Sequence, residues 1–383
     1  MLKVQYKVGP LEMAAEGSRE VVEKEVNAFM DFVNRIGTRR LTQMLGPVPA
    51  GTPAPITPHP VEVQPGMEWD VVAIYDNAGI PSIMHRFRKT TNKELFGGSD
   101  KVHPAFKIGG KIYDEIYISV YPNCNINGKP YSLPYQQPWT NITNDDAAEA
   151  CFSKGEGWHM MTAPEWGLLA NLSLKNGTLP HGNTDYGKYH GDPTERGENY
   201  DNYRTLTGSG PATWTHDHTP EGVHDLCGNV WEMLRGLRIV DGNLQAAQDN
   251  DAALPETDLT RAGDGWLHIV DSMGRRVRVS VGDDKITIHS DDSVTLSGYD
   301  GCPWEKVQIM TNAEQLKELA LYGGEPNAYC YIDSTEGEYF PIRGGYWGGG
   351  ARAGVFYTYL YYARSNSNTS IGFRSAYFRK TDN

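Results

Sequence analysis

The chain has 383 residues, more than the roughly 100 to 200 of a typical domain, so one large domain with an accessory region is expected. Its 42 Gly, 23 Pro and 22 Tyr exclude a helical bundle and favour a turn-rich, loop-heavy α+β protein with few long helices. A formal net charge of -13 excludes a general binder of nucleic acid or of anionic membrane, which needs a basic face to neutralise phosphates.

The first predicted element lies in segment 1–45. From Glu16 to Leu45, Val22, Val26, Phe29, Val33 and Ile36 recur at alternating spacings of four and three, the pattern of an amphipathic helix with a short coiled-coil-like seam. This helix is expected to serve attachment or self-association, with a trimer as one outcome. Residues 46–66, GPVPAGTPAPITPHPVEVQPG, form a semi-rigid linker, because proline enforces extended backbone. A small β subregion, 67–105, follows, and the main domain is placed at 106–383.

Within the main domain the sequence predicts two short helices. The first is capped by Thr143 or Asn144, and the second opens near Thr162-Ala163-Pro164-Glu165, where a capping residue precedes Pro and Glu in the first turn. Between about 241 and 301, strict alternation punctuated by Gly-Asp and Asp-Asp predicts inserted β-hairpins. The five cysteines, Cys124, Cys151, Cys227, Cys302 and Cys330, are far apart and never form C-x-x-C. Neither a disulfide framework nor a zinc site is indicated, and reduced thiols are expected. The opening residues lack the apolar stretch of a secretory signal and no run approaches about 20 apolar residues, so a soluble product of the cytoplasm is expected, reaching the exterior by assembly into a particle.

Three segments share an order and spacing. They are the helix pair with Ala147, Cys151, Gly157, Trp158, Thr162, Glu165 and Trp166; Gly222-Val223-His224-Asp225-Leu226-Cys227-Gly228-Asn229-Val230-Trp231-Glu232; and Arg343-Gly344-Gly345-Tyr346-Trp347 through Ile371-Gly372-Phe373-Arg374. Together they resemble the formylglycine-generating-enzyme (sulfatase-modifying-factor) type of the C-type-lectin fold, over roughly residues 105 to 383. Physically they read as scaffold: Gly228-Asn229 suits a turn needing permissive backbone, and Trp166, Trp231 and Trp347 supply buried area. Glu232 and Asp225 either pair with arginines or hold a structural calcium ion, as the resemblance allows. Arg343 and Arg374 are expected as ion-pair partners.

The oxidase activity implied by that resemblance needs cysteines in the C-terminal motif. Between Ile342 and Tyr377 there is no Cys, His, Asp or Glu, so nucleophile, base and metal ligand are all missing there and no enzyme is expected. His216, Asp217, His218, His224 and Asp225 have metal-ligand chemistry, but such a run in a polar loop reads more simply as exposed loop. No catalytic residue, metal or cofactor is assigned.

The stretch RGGYWGGGARAGVFYTYLYYARSNSNTSIGFRSAY resembles the variable region, here 342–377, of proteins diversified by diversity-generating retroelements, many from phages and prophages. The resemblance implies an invariant frame: Gly344, Gly345, Trp347, Gly354, Ala363, Arg364, Ser365, Ile371, Gly372, Phe373 and Arg374. It implies exchangeable, ligand-binding positions at Tyr346, Gly348, Gly349, Arg352, Tyr357, Tyr359, Tyr361, Tyr362, Asn366, Asn368 and Ser370. Asn codons mutated only at adenine cannot encode Lys, Glu, Gln, Met or Trp, and none stands at these positions. Tyr supplies large, rigid, amphipathic contact area while Ser, Gly and Asn adapt their hydrogen bonds, the mixture found in antibody loops. Alternation places Tyr357, Tyr359 and Tyr361 on one face of an extended segment and Phe356, Thr358 and Leu360 on the other.

The expected function is therefore phage tail-associated receptor binding, with a surface protein or glycan of a target bacterium as partner and the virion as final location. The alternatives are a calcium-dependent lectin, which needs an acidic and amide ligand cluster, and a formylglycine-generating-like oxidase.

Overall fold

The computed structural model describes residues 2–8, 11–17, 70–282, 285–292 and 297–380. The predicted helix from residue 18 onward and the whole Pro-rich linker lie outside the described residues. Ahead of them, Leu2–Val8 pairs antiparallel with Leu11–Gly17. That hairpin falls inside segment 1–45, and its second strand takes in Glu16 and Gly17, where the predicted helix begins.

The rest of the chain is β-rich with few helices. A five-stranded sheet runs in the order Trp158–Met160, Ser375–Tyr377, Glu115–Ser119, Pro81–Arg88, Val71–Tyr75. Within the segment read as a small β subregion, Pro81–Arg88 pairs with Glu115–Ser119, and that strand with Ser375–Tyr377. Pro81–Arg88 thereby shares backbone hydrogen bonds with a strand of the main domain.

The second sheet has twelve strands. Its path runs from Tyr299–Pro303 through Tyr329–Asp333, Gly354–Tyr362, Glu338–Gly344, Leu237–Val240 and Asn243–Ala246 to Arg278–Gly282, Lys285–His289 and Gln308–Met310. The hairpin Arg278–Gly282/Lys285–His289 lies in the region predicted to carry hairpins. It is continuous with the sheet rather than appended to it. Val279, Val281, Ile286 and Ile288 join Trp166, Phe356 and Leu360 in one hydrophobic cluster, so removing this segment would open the core.

Two helices fix the scaffold. Asn144–Phe152 starts at Thr143, whose side chain accepts from the Asp146 amide. Ala163–Asn176 carries a full capping box between Thr162 and Glu165, with Pro in its first turn and Gly177 at its end at φ 69°. These devices satisfy backbone donors that a helix start leaves unpaired. The second helix is then tied to the strand Gly354–Tyr362 directly, because the Trp166 Nε1 donates to the Val355 carbonyl at 2.8 Å.

Candidate binding face

The frame is built first by charge. Arg374 and Glu232 are both fully buried and form a bidentate pair, with Nε to Oε2 at 2.6 Å. The remaining Arg374 donors reach the Ser119 and His224 carbonyls, each at 2.9 Å. Planar guanidinium matches this two-pronged geometry, and a buried charge needs such complete pairing. Glu232 is thereby engaged by arginine and not presented to a calcium ion. Asp225 differs: Oδ2 accepts from the Gly208 amide at 2.8 Å, Oδ1 is buried without a hydrogen-bond partner, and burial pushes its carboxyl up to about 6.

Arg343 does not make the expected ion pair. Its guanidinium is buried and bonds the carbonyls of Ala320 and Val355 at 2.9 and 3.3 Å. Burial lowers its pKa to about 9, and Glu325 opposes that shift electrostatically. Arg364 spans three parts of the chain: Glu338 at 3.0 and 3.1 Å, Asp145 at 2.7 Å, and the Leu259 carbonyl at 2.8 Å.

The frame glycines are held by backbone geometry. Gly344 and Gly345 have φ of 87° and 90°, where a side chain is strained. A Cβ at Gly344 would also stand 2.7 Å from the Leu226 carbonyl oxygen, and one at Gly345 2.6 Å from the Ala353 Cβ. Two nearby glycines are different. Gly348 and Gly349 are not in the left-handed region, and an added Cβ meets nothing nearer than 3.3 Å and 3.2 Å respectively. A side chain is accommodated there with adjustments of a few tenths of an ångström.

On the strand Gly354–Tyr362, Phe356, Thr358 and Leu360 are fully buried. Tyr357, Tyr359 and Tyr361 lie on the opposite side in a gradient: buried, half-buried and exposed. Tyr357 is only 6% exposed, covered by Trp231 at 4.7 Å and Tyr329 at 5.8 Å between ring centroids. Although it shares the outward parity, it is a floor residue rather than a contact residue. Tyr346, Gly348, Gly349, Tyr362 and Ser370 are half-buried, while Arg352, Asn366 and Asn368 are exposed.

The structure adds residues that sequence reading missed. Tyr329–Asp333 runs parallel to Gly354–Tyr362 with Tyr331 opposite Tyr359, and their rings stack at 4.9 Å. Tyr299 contacts Tyr331 and Tyr361 at 6.2 and 5.9 Å, and Tyr339 lies parallel to Tyr361 at 6.1 Å. At the other end, Tyr346 lies over Trp231 at 6.3 Å, contacts Trp347 at 5.4 Å, and Trp347 stacks on Tyr203 at 5.5 Å. Aromatic contacts therefore run unbroken from Tyr203 to Tyr339 across several strands and loops. The i, i+2 spacing of Tyr329 and Tyr331 was the available signal.

This face offers stacking surfaces and hydroxyl hydrogen bonds. Burial and neighbouring tyrosines raise the Tyr331 pKa, and burial foremost pushes Tyr359 up to about 12, so both stay neutral donors near pH 7. Asn366, Asn368 and Ser370 sit on a loop whose backbone is pinned: the Asn141 amide donates to the Asn368 carbonyl at 3.1 Å, and the Trp231 amide to the Ser370 carbonyl at 2.8 Å. Asn366 and Asn368 are exposed over this pinned backbone, and the Asn368 Oδ1 accepts from the Ser370 amide at 3.1 Å.

His216 and Asp217 do approach a third group, His85, with ligand atoms within 4.8 Å of one another. Two of these groups already accept hydrogen bonds within the protein. His216 Nδ1 accepts from the Val223 amide at 2.9 Å, and Asp217 Oδ1 accepts from the Thr219 amide and hydroxyl at 3.0 and 2.9 Å. His218 bonds the Leu179 carbonyl and His224 the Pro220 carbonyl. The histidine run is thus dispersed into structural contacts. A cavity of about 450 Å³ opens between Asn92–Phe96 and Ala163–Asn176, lined by Glu94, Asn171, Lys317 and Tyr322 among others; no residue of segment 342–377 lines it.

The fold and this face define a β-rich domain bearing an extended aromatic surface on a rigidly paired frame. No protein-family model matches the chain, and no curated protein matches it. Among solved structures, PvdO from Pseudomonas aeruginosa aligns with 78% of this chain and 94% of its own, at 14% identity and a TM-score of 0.32, a likeness too distant to carry an argument about subtype or activity. Among the described residues no helix is long and apolar enough to cross a membrane.

Proposed function

We propose that the tyrosine-rich face is a diversifiable ligand-binding surface, and that the chain is a retroelement-diversified receptor-binding protein with a C-type-lectin fold of the formylglycine-generating-enzyme subtype. The observation that supports this reading best is the contrast among the glycines of one short segment. Gly344 and Gly345 stand where a side chain is strained and obstructed, whereas Gly348 and Gly349, a few residues on, leave room for one. A surface under exchange needs this division: positions that define the backbone must resist substitution, and positions that meet the ligand must accept it.

The ligand class that suits the face is a surface protein or glycan of a target bacterium. Stacked tyrosines give contact area at low entropic cost, and their hydroxyls, with Asn366, Asn368 and Arg352, bond polar groups of either partner. On this reading the chain acts from a phage tail, with the N-terminal segment providing attachment.

The test is sequencing of the same locus in sibling isolates. Substitutions concentrated at the exchangeable positions, with a near-copy of segment 342–377 and a reverse transcriptase gene nearby, are expected. Substitution spread evenly over the domain, or absence of the near-copy, overturns the retroelement reading.

A further inference from the structure

We infer that Cys302 and Cys330 are a disulfide-forming pair behind the tyrosine face, closed by exchange with a small oxidised disulfide such as glutathione disulfide. The five cysteines are scattered in sequence, but the fold places these two directly opposite each other in the antiparallel pairing of Tyr299–Pro303 with Tyr329–Asp333. Directly opposed residues in such a ladder have Cα atoms about 4.5 or 5.5 Å apart. Both values lie inside the roughly 4.4–6.8 Å that a disulfide spans.

The side chains also meet. The Cys330 thiol donates to the Cys302 carbonyl at 3.6 Å and is hydrogen-bonded to the Cys302 thiol. The two thiols are not equivalent. Cys330 is fully enclosed, while Cys302 retains 8% exposure. The Cys330 hydrogen bond lowers the Cys302 pKa, and that same contact, with burial, holds Cys330 well above the usual thiol range. Cys302 is therefore the attacking thiol and Cys330 the resolving one.

The Cys302 thiolate attacks one sulfur of glutathione disulfide, breaking its S–S bond and releasing one glutathione thiolate. Cys330 then loses its proton to solvent and attacks the Cys302 sulfur, forming the protein disulfide and expelling the second glutathione thiolate. Two protein thiols are oxidised while one external disulfide is reduced to two thiols. The product would fasten Tyr299–Pro303, the terminal strand of the sheet path, to the strand carrying Tyr329 and Tyr331. Tyr299, which is 60% exposed, would be held in place beneath any ligand.

The experiment incubates the full reduced chain with glutathione disulfide under nitrogen at about pH 8, where thiolate is available. Free thiols are then counted after denaturation, and intact mass and a non-reducing peptide map are recorded. Two of the five thiols should disappear with a mass loss of two hydrogens, and one cross-linked peptide should join Cys302 to Cys330. The C330S variant should accumulate a glutathione adduct on Cys302, and C302S should keep its remaining thiols. Retention of all five thiols by the wild-type chain, a bond between other cysteines, or a glutathione adduct that never closes in the wild-type chain would each overturn the inference. The wild-type measurement decides the matter even where a variant fails to fold.

Discussion

At Gly344 two independent constraints coincide: a left-handed φ of 87° and a carbonyl oxygen 2.7 Å from where a Cβ would stand. An L-residue in this conformation is disfavoured by roughly 1–2 kcal/mol before any clash is counted. Gly344→Ala should therefore lower stability by at least about that amount in a denaturant titration. Gly348→Ser should stay within about 0.5 kcal/mol of the parent. If both substitutions cost the same, the glycines are not divided by role and the central support for an exchangeable face is gone.

Among the elements, the helix Ala163–Asn176 shows how local chemistry transmits to the face. Thr162 accepts from the Glu165 amide, Glu165 returns a bond to the Thr162 amide, and Trp166 reaches the Val355 carbonyl. Thr162→Ala should cost about 1 kcal/mol through the lost cap, measurable as a shifted unfolding midpoint. An unchanged midpoint would mean that tertiary packing alone sets this helix. The cap, the Pro and the Glu were all readable in sequence, because capping is decided within four residues. So was the inward parity of Phe356, Thr358 and Leu360, since pleating has period two. The partners of Gly354–Tyr362 were not readable. Tyr299, Tyr329 and Tyr331 reach Tyr357, Tyr359 and Tyr361 only through a parallel and an antiparallel pairing between distant segments, and periodicity within a strand carries no information about its neighbour. The same limit concealed the meeting of Cys302 with Cys330 and the burial of Tyr357 under Trp231.

For the whole molecule, desolvated titratable groups make stability depend on pH in a separable way. Glu325 is half-buried, accepts from the Phe356 amide at 2.8 Å, and is pushed up to about 7 from an ordinary 4.5, chiefly by desolvation of its carboxyl and against the pull of the amide and Arg343. A carboxyl raised in the folded state binds a proton that the unfolded chain has released. Its contribution is fully present below about pH 4.5 and is lost as pH rises through about 7. His103 and His216, both lowered to about 3 by burial, act in the opposite sense across the acid range. The Glu325 part is therefore isolated by comparison. Glu325→Gln should gain stability relative to the parent as pH rises from about 4.5 to 7, then hold a constant difference. A difference independent of pH would mean that Glu325 is already ionised when folded.

Tyr299, Tyr329, Tyr331 and Tyr339 lie beside the exchangeable positions but outside segment 342–377. On the proposed reading, every sequence produced by diversification inherits the same aromatic neighbours. Newly generated siblings would begin with a shared, weak adhesiveness, and selection would refine an existing grip rather than wait for one to arise. Tropism could then drift between hosts through intermediates that never lose attachment altogether.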